Sequence, residues 1–251
     1  MIKFFRNIRQ TLIKENKTSN YFKYAIGEIA LVVIGILIAL QINNWNEQKK
    51  ADQFELKMLA EIKKSIVKDN TYLQFILEER VKVIDSNCAV LKKMLKQNKI
   101  DSVEFNKNLL GIGFGFIFQY SDGAYEALKA SGIDKVTNDS LRNELIQFYD
   151  FVGPRTTQLI DFHSNENYRQ SERELSWEIF EYDVVSIGDI GLHIAPIRYK
   201  LDNYRDSRLL QYLQLRSTYA ANGGIRIRNY IRDSDKLRSL LEKELNKREN
   251  D

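Results

Sequence analysis

The sequence predicts an all-α protein in which an N-terminal transmembrane helix continues into an extracytoplasmic helical bundle of four to six helices. Three observations predict this class. Residues 25–42 are almost entirely apolar, the 75 residues between Gly35 and Gly111 contain neither glycine nor proline, and apolar side chains recur there at helical spacing. The composition, with 29% charged and 11% aromatic residues in a chain of 251, excludes collagen-like and disordered classes.

The apolar segment is long enough to cross a bilayer. Its sequence, AIGEIALVVIGILIALQI, carries a single charge, Glu28. A helix from Tyr24 to Asn44 measures about 30 Å, which is the thickness of a bilayer core. Aromatic residues flank it, as in interfacial belts: Tyr21, Phe22, Tyr24 and Trp45. A soluble core helix would have a polar stripe, and a cleaved signal would end in small residues, which positions 40–43 lack. We therefore expect an uncleaved anchor.

Charge indicates how the anchor is oriented. Residues 1–23 have a net charge of +5 and residues 24–46 a net charge of −1, so residues 47–251 are neutral overall. Basic residues are nearly balanced across the span, and their count alone does not decide the orientation. Export of a short tail with six cations is unfavourable, whereas long C-terminal domains are translocated largely regardless of charge. We expect the N-terminus inside and the large domain outside.

The sequence thus divides into a basic cytoplasmic tail (1–23), a transmembrane helix (24–45) and an extracytoplasmic helical domain (46–251). Apolar residues recur at helical spacing in the tail: Ile2, Phe5, Ile8 and Leu12. This spacing is typical of an amphipathic helix on the inner leaflet, although an unordered basic tail would also serve the topology. Because the excess positive charge lies in the tail, the composition does not predict nucleic-acid binding by the large domain.

Two segments of the chain carry a resemblance to a known family. They are the opening, MIKFFRNIRQ with YAIGEIALVVIGILIALQINNWNE, and AYEALKASGIDKVTNDSLRNELIQFYDF at residues 124–151. Both resemble an uncharacterised family of single-pass membrane proteins common in Bacteroidota. The resemblance implies a bacterial inner membrane with a periplasmic domain, and it implies no activity, cofactor or catalytic residue.

Helical periodicity continues after the span. One apolar stripe comprises Leu59, Ile62, Ile66, Leu73 and Ile76, and it continues with a change of phase through Ile84, Cys88, Leu91 and Leu95. The stripe predicts one long helix, or two nearly collinear ones, with a weak point at residues 68–70. After a turn at residues 98–101, Asp101 and Glu104 predict the N-terminus of the next helix.

Residues 111–118, GIGFGFIF, show the sharpest shift in composition. A phosphate-binding loop would need its third glycine at Phe116, so we expect close packing of a glycine-lined backbone instead. A short helix that begins at Ser121 is expected to end at Gly132, which suits the position after a helix C-cap.

Further glycines and prolines mark the remaining boundaries. Gly153 and Pro154 predict a break, or the first turn of a helix over residues 155–182. Residues 183–203 are predicted to be the longest irregular connection, and no segment predicts a sheet. A last helix over residues 206–246 is expected to be softened at residues 222–224, where two glycines are adjacent.

Residues that usually carry chemistry are few. His163 and Glu166 share a helical face, but a bundle di-iron site needs Glu-x-x-His on two helices. His193 and Asp189 lack a serine in a nucleophile elbow. Cys88 lies on the apolar stripe, as an inert buried thiol does. The sequence therefore predicts no catalytic residue, no metal site and no cofactor.

Two functional hypotheses remain. The first is a non-enzymatic interaction, sensing or envelope-scaffold protein whose domain binds a partner or a small ligand outside the membrane. The second is an envelope enzyme with a site assembled from scattered Asp, Glu, Tyr and Arg, and a deep pocket that gathers carboxylates with Arg or His would favour it. The expected partners are the lipid bilayer and, through the span, a second copy or another membrane protein. Nucleic acid is not an expected partner.

One face of the span is the predicted contact site. Glu28, Gly35 and Ala39 lie within about 40° of one line on a helix. Gly35 and Ala39 form a small-residue pair that permits close helix approach, and Glu28 would favour a polar partner. The alternative is that Glu28 reaches the inner interface and pairs with Lys23 or a lipid headgroup. We predict that this face contacts another transmembrane helix.

Overall fold

The computed structural model describes residues 18–162, 166–187, 191–200 and 207–250. Most of them are helical, which confirms the all-α class. The chain divides into two compact units, Met1–Glu55 and Leu56–Asp251.

The described residues form six continuous helical stretches and one hairpin. The α-helices are α1 (Thr18–Ile76), α2 (Lys82–Gln97), α3 (Ser102–Gly113), α4 (Gly123–Ala130), α5 (Asp139–Ile146), α6 (Gly153–Phe162), α7 (Glu166–Ile179) and α8 (Ser207–Asn250). Two π-helical turns, Leu77–Val81 and Gln147–Val152, join α1 to α2 and α5 to α6. The strands are β1 (Phe180–Ile187) and β2 (Gly191–Tyr199), and a 3₁₀ turn lies at Ile133–Lys135.

The first unit contains the apolar segment as part of α1. Its large apolar side chains between Ile26 and Ile42 are 47–64% exposed. The most apolar stretch has a mean hydropathy of 2.5, and none of it is buried. Among the described residues, this is the one helix that is long and apolar enough to cross a membrane.

The apolar stripe of the second unit is buried as its periodicity predicts. Ile62, Leu73 and Cys88 lie at the centre of the core with almost no exposed surface. The expected weak point at residues 68–70 is wrong, because the helix is regular there and its polar side chains bond to other elements. The irregularity lies instead in the π-helical turn Leu77–Val81.

The predicted caps are present. A carboxylate oxygen of Asp101 accepts hydrogen bonds from the amides of Val103 (2.8 Å) and Glu104 (3.0 Å), as an N-cap does. Asn98 ends α2 in the left-handed region at φ 52°. Gly132 follows α4 with φ 109°, a conformation that glycine adopts without strain.

Gly153 and Pro154 do not break the chain, and Pro154 lies in the first turn of α6, as the alternative predicted. Most of the helix predicted over residues 155–182 is present in α6 and α7, but α7 ends at Ile179, where β1 begins. The helix of α5 continues through the π-helical turn Gln147–Val152 into α6. A wider turn before the proline accommodates a residue that cannot donate to the helix and whose ring crowds the preceding turn. The ring of Tyr120 packs on Gly153, where a Cβ atom would lie 2.6 Å from it.

The irregular connection predicted over residues 183–203 is also wrong, because β1 and β2 form an antiparallel hairpin there. Phe180 pairs with Tyr199 and Val184 with Ile194. Pro196 lies beside a register irregularity, and proline is tolerated at such a bulge because its missing N–H is not needed there. The glycines and the proline of this segment favoured an irregular connection over strands.

The last helix, α8, is continuous through residues 222–224, so the expected soft point is wrong. Gly223 and Gly224 are contact points between elements. A Cβ atom at Gly223 would lie 2.2 Å from the ring of Phe116, and one at Gly224 would lie 2.8 Å from Val81. Close packing against the glycine-rich segment explains these glycines. Gly111 and Gly113 are equally crowded, by the side chains of Asn87 and Pro196.

Candidate functional site

The predicted transmembrane face is open along the first unit. A Cβ atom at Gly35 would meet no atom within 4 Å, and Ala39 is exposed. Glu28 is half-buried. These three residues lie on one helical line as predicted by their spacing, and their contact with another transmembrane helix stays a prediction.

The residues considered for metal chemistry lie largely outside the described part of the chain. His163 and Asp189, and the side chains of Glu166 and His193, belong to the residues that the structure does not describe. Among the described residues, no group of three His, Cys, Asp or Glu is arranged to hold a metal ion. Cys88 is fully buried, and burial raises the pKa of its thiol to about 11, so the thiol is protonated at neutral pH.

The second unit contains a cavity of about 580 Å³, which we call the Asp69 cavity. Its walls are Lys68, Asp69 and Tyr72 of α1, residues 118–122, and Thr157 of α6. The volume lies within the range of small-molecule pockets. The apolar and helical patterns of the sequence do not predict this site, although the position of Asp69 indicates a buried polar contact. This residue occupies a buried position on the apolar stripe, between Ile66 and Leu73.

Asp69 is held in place by the segment that forms the opposite wall. Its two carboxylate oxygens accept hydrogen bonds from the amide of Ser121 (2.7 Å) and from the hydroxyl of the same residue (2.9 Å). On the next turn of α1, the hydroxyl of Tyr72 donates to the carbonyl of Ile117 at 3.1 Å. These three bonds tie the helix to residues 117–121 and fix the width of the cavity.

Aromatic rings line the cavity and belong to a larger aromatic cluster. Phe118 and Tyr120 line it with ring centroids 5.9 Å apart, and Tyr230 of α8 packs against both, at 4.9 and 5.7 Å. Phe148 and Tyr149 extend the cluster. Burial, together with the carboxylates of Asp69 and Asp122, raises the pKa of the Tyr149 and Tyr230 phenols, which therefore stay neutral.

A smaller cavity of about 200 Å³ lies between α7, α8 and the hairpin. It is lined by Glu172, Arg173 and Tyr182, among others. Glu172 is committed to a buried ion pair with Arg216 at 2.9 Å, and Arg216 also donates to the carbonyl of Phe114 at 2.7 Å. The pair holds α7, α8 and the end of α3 together. Removing one partner would leave a buried charge uncompensated.

Comparison with known protein families identifies the family of this chain. A family described as "Family of unknown function (DUF6090)" matches residues 28–168, more than half of the sequence. The chain belongs to DUF6090. No curated protein and no solved structure matches it.

The DUF6090 match begins at Glu28, so it includes all three residues of the predicted transmembrane face. It also includes every residue that lines the Asp69 cavity. The hairpin and α8 lie beyond it, and with them the smaller cavity's Tyr182 and the buried Arg216. The family is one of unknown function, as the sequence resemblance implies, and it assigns no activity to either cavity.

Proposed function

We propose that this DUF6090 protein is a non-enzymatic binding protein anchored in a bacterial inner membrane. Residues 24–45 cross the bilayer once, residues 1–23 lie in the cytoplasm, and residues 46–251 form a helical domain in the periplasm. The domain binds a small ligand or a partner and takes part in sensing or envelope scaffolding. A bacterium of the Bacteroidota lineage is the proposed source, on the sequence resemblance alone.

The observation that carries the proposal is the exposure of the apolar segment. Eleven large apolar side chains between Ile26 and Ile42 are exposed on one uninterrupted helix. Monomeric soluble proteins rarely expose apolar patches larger than a few hundred Å², and such patches mark interaction with a membrane or another protein. The length of the segment and its aromatic flanks support a bilayer as the partner.

The bonding of three buried or partly buried carboxylates of the second unit supports binding rather than catalysis. Asp69 bonds to Ser121, Glu172 to Arg216, and Glu244 to Asn138 and Arg248. Each carboxylate is committed to holding two elements together. The Cys88 thiol is protonated and buried, which is unfavourable for a nucleophile. The Asp69 cavity, by contrast, has room for a ligand.

The orientation can be tested with single cysteines in a Cys88→Ala protein. Val103 is 78% exposed, so Val103→Cys offers an accessible thiol on the large domain. Lys3→Cys places one in the N-terminal tail. A membrane-impermeant maleimide applied to intact spheroplasts should label Val103→Cys and leave Lys3→Cys unlabelled until the membrane is permeabilised.

The reverse labelling pattern would overturn the orientation. Intact mass measurement of the membrane-extracted protein separates an anchor from a cleaved signal, because cleavage would remove the first 40 or so residues. Loss of these residues would contradict anchoring.

Partners can be identified by crosslinking the full-length protein in its native membrane, followed by pull-down.

A further inference from the structure

Two carboxylates and three aromatic rings line the Asp69 cavity. Asp69 and Asp122 contribute two carboxylates to its lining, and Lys68 contributes one cation. Asp69 is buried, whereas the side chains of Asp122 and Lys68 are exposed to solvent. The buried charge therefore acts at higher strength than the solvated ammonium group. The net charge facing the cavity is negative.

The charged groups around Tyr120 are also mostly negative, in agreement with a negative cavity. Burial raises the pKa of its phenol, and the charged neighbours with the largest further effect are all carboxylates: Asp122, Glu126 and Asp150. The negative faces of aromatic rings add to this field, because their quadrupoles attract cations. Phe118, Tyr120 and Tyr72 contribute three such rings to the lining of the cavity.

The rings are held in fixed positions. Tyr120 packs on Gly153, where even a methyl group would collide with its ring, and it contacts Phe118 and Tyr230. The hydrogen bond from the Tyr72 hydroxyl to the Ile117 carbonyl holds the third ring in place. A preformed cage of this kind loses little conformational entropy when a ligand enters.

We propose that the Asp69 cavity binds a small organic cation, an amine or quaternary ammonium group with an apolar body. The cation lies against Phe118, Tyr120 and Tyr72, and the carboxylates of Asp69 and Asp122 balance its charge. This inference rests on the proposed function as a binding protein and names the class of its ligand. The cation is either a free solute or the headgroup of a lipid.

Calorimetric titration of the full-length protein in a non-ionic maltoside detergent tests the proposal. The probes are choline and benzyltrimethylammonium, and the control is 3,3-dimethylbutan-1-ol, the uncharged isostere of choline. We expect the two cations to bind and the isostere to bind at least about tenfold more weakly, because both cation–π attraction and charge balance are lost. Absence of binding by both cations, or equal binding of choline and its isostere, would overturn the proposal.

Variants test whether the cations bind in the Asp69 cavity. Asp122→Asn removes an exposed carboxylate that makes no capping hydrogen bond, so the fold should be unaffected, and we expect weaker binding of choline by several-fold. Tyr72→Leu keeps an apolar side chain and removes the ring, with a similar expected loss, whereas Tyr72→Phe keeps the ring, loses only the bond to Ile117 and should retain most of the affinity. Asp233→Asn is the matched control, since Asp233 is paired with Arg232 on α8 and does not line the cavity. Equal loss in Asp233→Asn, or no loss in Asp122→Asn and Tyr72→Leu, would contradict the assignment.

A competition experiment separates the two sources of the cation. Glycerophosphocholine, a soluble lipid headgroup, should displace benzyltrimethylammonium if the site accepts a headgroup, and should fail to displace it if the site accepts only free organic cations. The titrations measure the ligand class without a membrane. If Val103→Cys were not labelled by the maleimide in intact spheroplasts, only the membrane topology would be refuted. If the titrations failed, only the cation site would be refuted.

Discussion

At the scale of single residues, Gly223 shows how one missing methyl group sets the distance between two elements. A Cβ atom at this position would lie 2.2 Å from the ring of Phe116, which is buried and packed against Tyr219. Gly223→Ala should gain about 1 kcal/mol in helix propensity and lose more than that by overpacking, typically about 1–3 kcal/mol. We expect a lower free energy of unfolding by urea denaturation.

The control for this prediction is Gly123→Ala. Gly123 lies in the first turn of α4, and a Cβ atom there meets no atom within 4 Å. This variant should be neutral or slightly more stable than the wild type. Equal stability of the Gly223→Ala and Gly123→Ala proteins would show that Phe116 moves aside at no cost.

Glu244 predicts a pH dependence of stability. Its carboxylate accepts hydrogen bonds from Asn138 Nδ2 (2.7 Å) and Arg248 Nε (2.8 Å). Burial by itself raises the pKa of Glu244, but these bonds outweigh it and leave the pKa below its usual value of 4.5. The stabilisation is therefore complete above pH 4.5 and is lost as the pH falls through the folded-state pKa.

Glu244→Gln should lower the free energy of unfolding by about 1–2 kcal/mol at pH 7, because charge-assisted hydrogen bonds become weaker neutral ones. The difference from the wild type should shrink as the pH falls below 4.5. Urea denaturation at a series of pH values measures it. Glu249→Gln, an exposed position on the same helix, should behave like the wild type throughout. A constant difference across the pH series would rule out the linkage.

At the scale of elements, α1 contributes its buried face to the core of the second unit. Ile62 is fully buried on this face, in a regular part of the helix. Ile62→Pro removes a backbone donor and places a ring against the preceding turn, so it should cost about 3 kcal/mol or more. Ile62→Val keeps the backbone and should cost only about 0.5–1.5 kcal/mol. Thermal melting and protease resistance measure both, and wild-type behaviour of Ile62→Pro would refute the continuous helix.

The face of Glu28, Gly35 and Ala39 predicts association within the membrane. Ala39→Leu and Gly35→Leu should weaken self-association or partner crosslinking, because bulky side chains prevent close helix approach. Glu28→Gln should weaken it less, since an amide still forms hydrogen bonds. Ala30→Leu is the matched control, because Ala30 lies on the opposite side of the same helix.

A membrane two-hybrid assay compares the four variants. Association that survives Ala39→Leu but is lost in Ala30→Leu would assign the contact to the other face. If none of the four variants associated, and the wild type did not either, the span would serve only as an anchor.

At the scale of the whole molecule, Cys88 reports whether the second unit unfolds cooperatively. It lies fully buried at the centre of the core, and burial raises the pKa of its thiol to about 11. The folded protein should not react with a thiol reagent at pH 8. In urea, the rate of reaction should rise at the same midpoint as the loss of helical circular dichroism. Reaction at urea concentrations where the helix content is native would show local opening around α2.

Much of the chain's architecture could be predicted from local patterns. The stripe from Leu59 to Leu91 has a helical period because one face must be buried, and the cap at Asp101 depends on residues only two or three positions away. The hairpin could not be predicted in the same way. Its strands are specified by pairing across the turn, and Pro196 is tolerated only because a register irregularity lies beside it.

Local sequence patterns could not predict the Asp69 cavity either. Asp69 meets Ser121 across a sequence separation of 52 residues, and Tyr120 packs on a glycine 33 positions away. An aspartate on an apolar stripe indicates only that it has some buried partner. Which partner it has, and whether the pair encloses a cavity, depends on how α1, α6 and residues 118–122 pack.

The sequence by itself determined the helical class, the apolar segment able to cross a membrane, the stripe of α1 and α2 and most helix ends, because these depend on hydrophobic periodicity and on interactions within a few residues. Only the tertiary structure decided the course of the chain through Pro154, the hairpin, the role of Gly223 and the walls of the Asp69 cavity. These features arise where residues distant in sequence approach within contact distance. Steric fit and hydrogen-bond pairing at those contacts then override the local preferences of glycine, proline and aspartate.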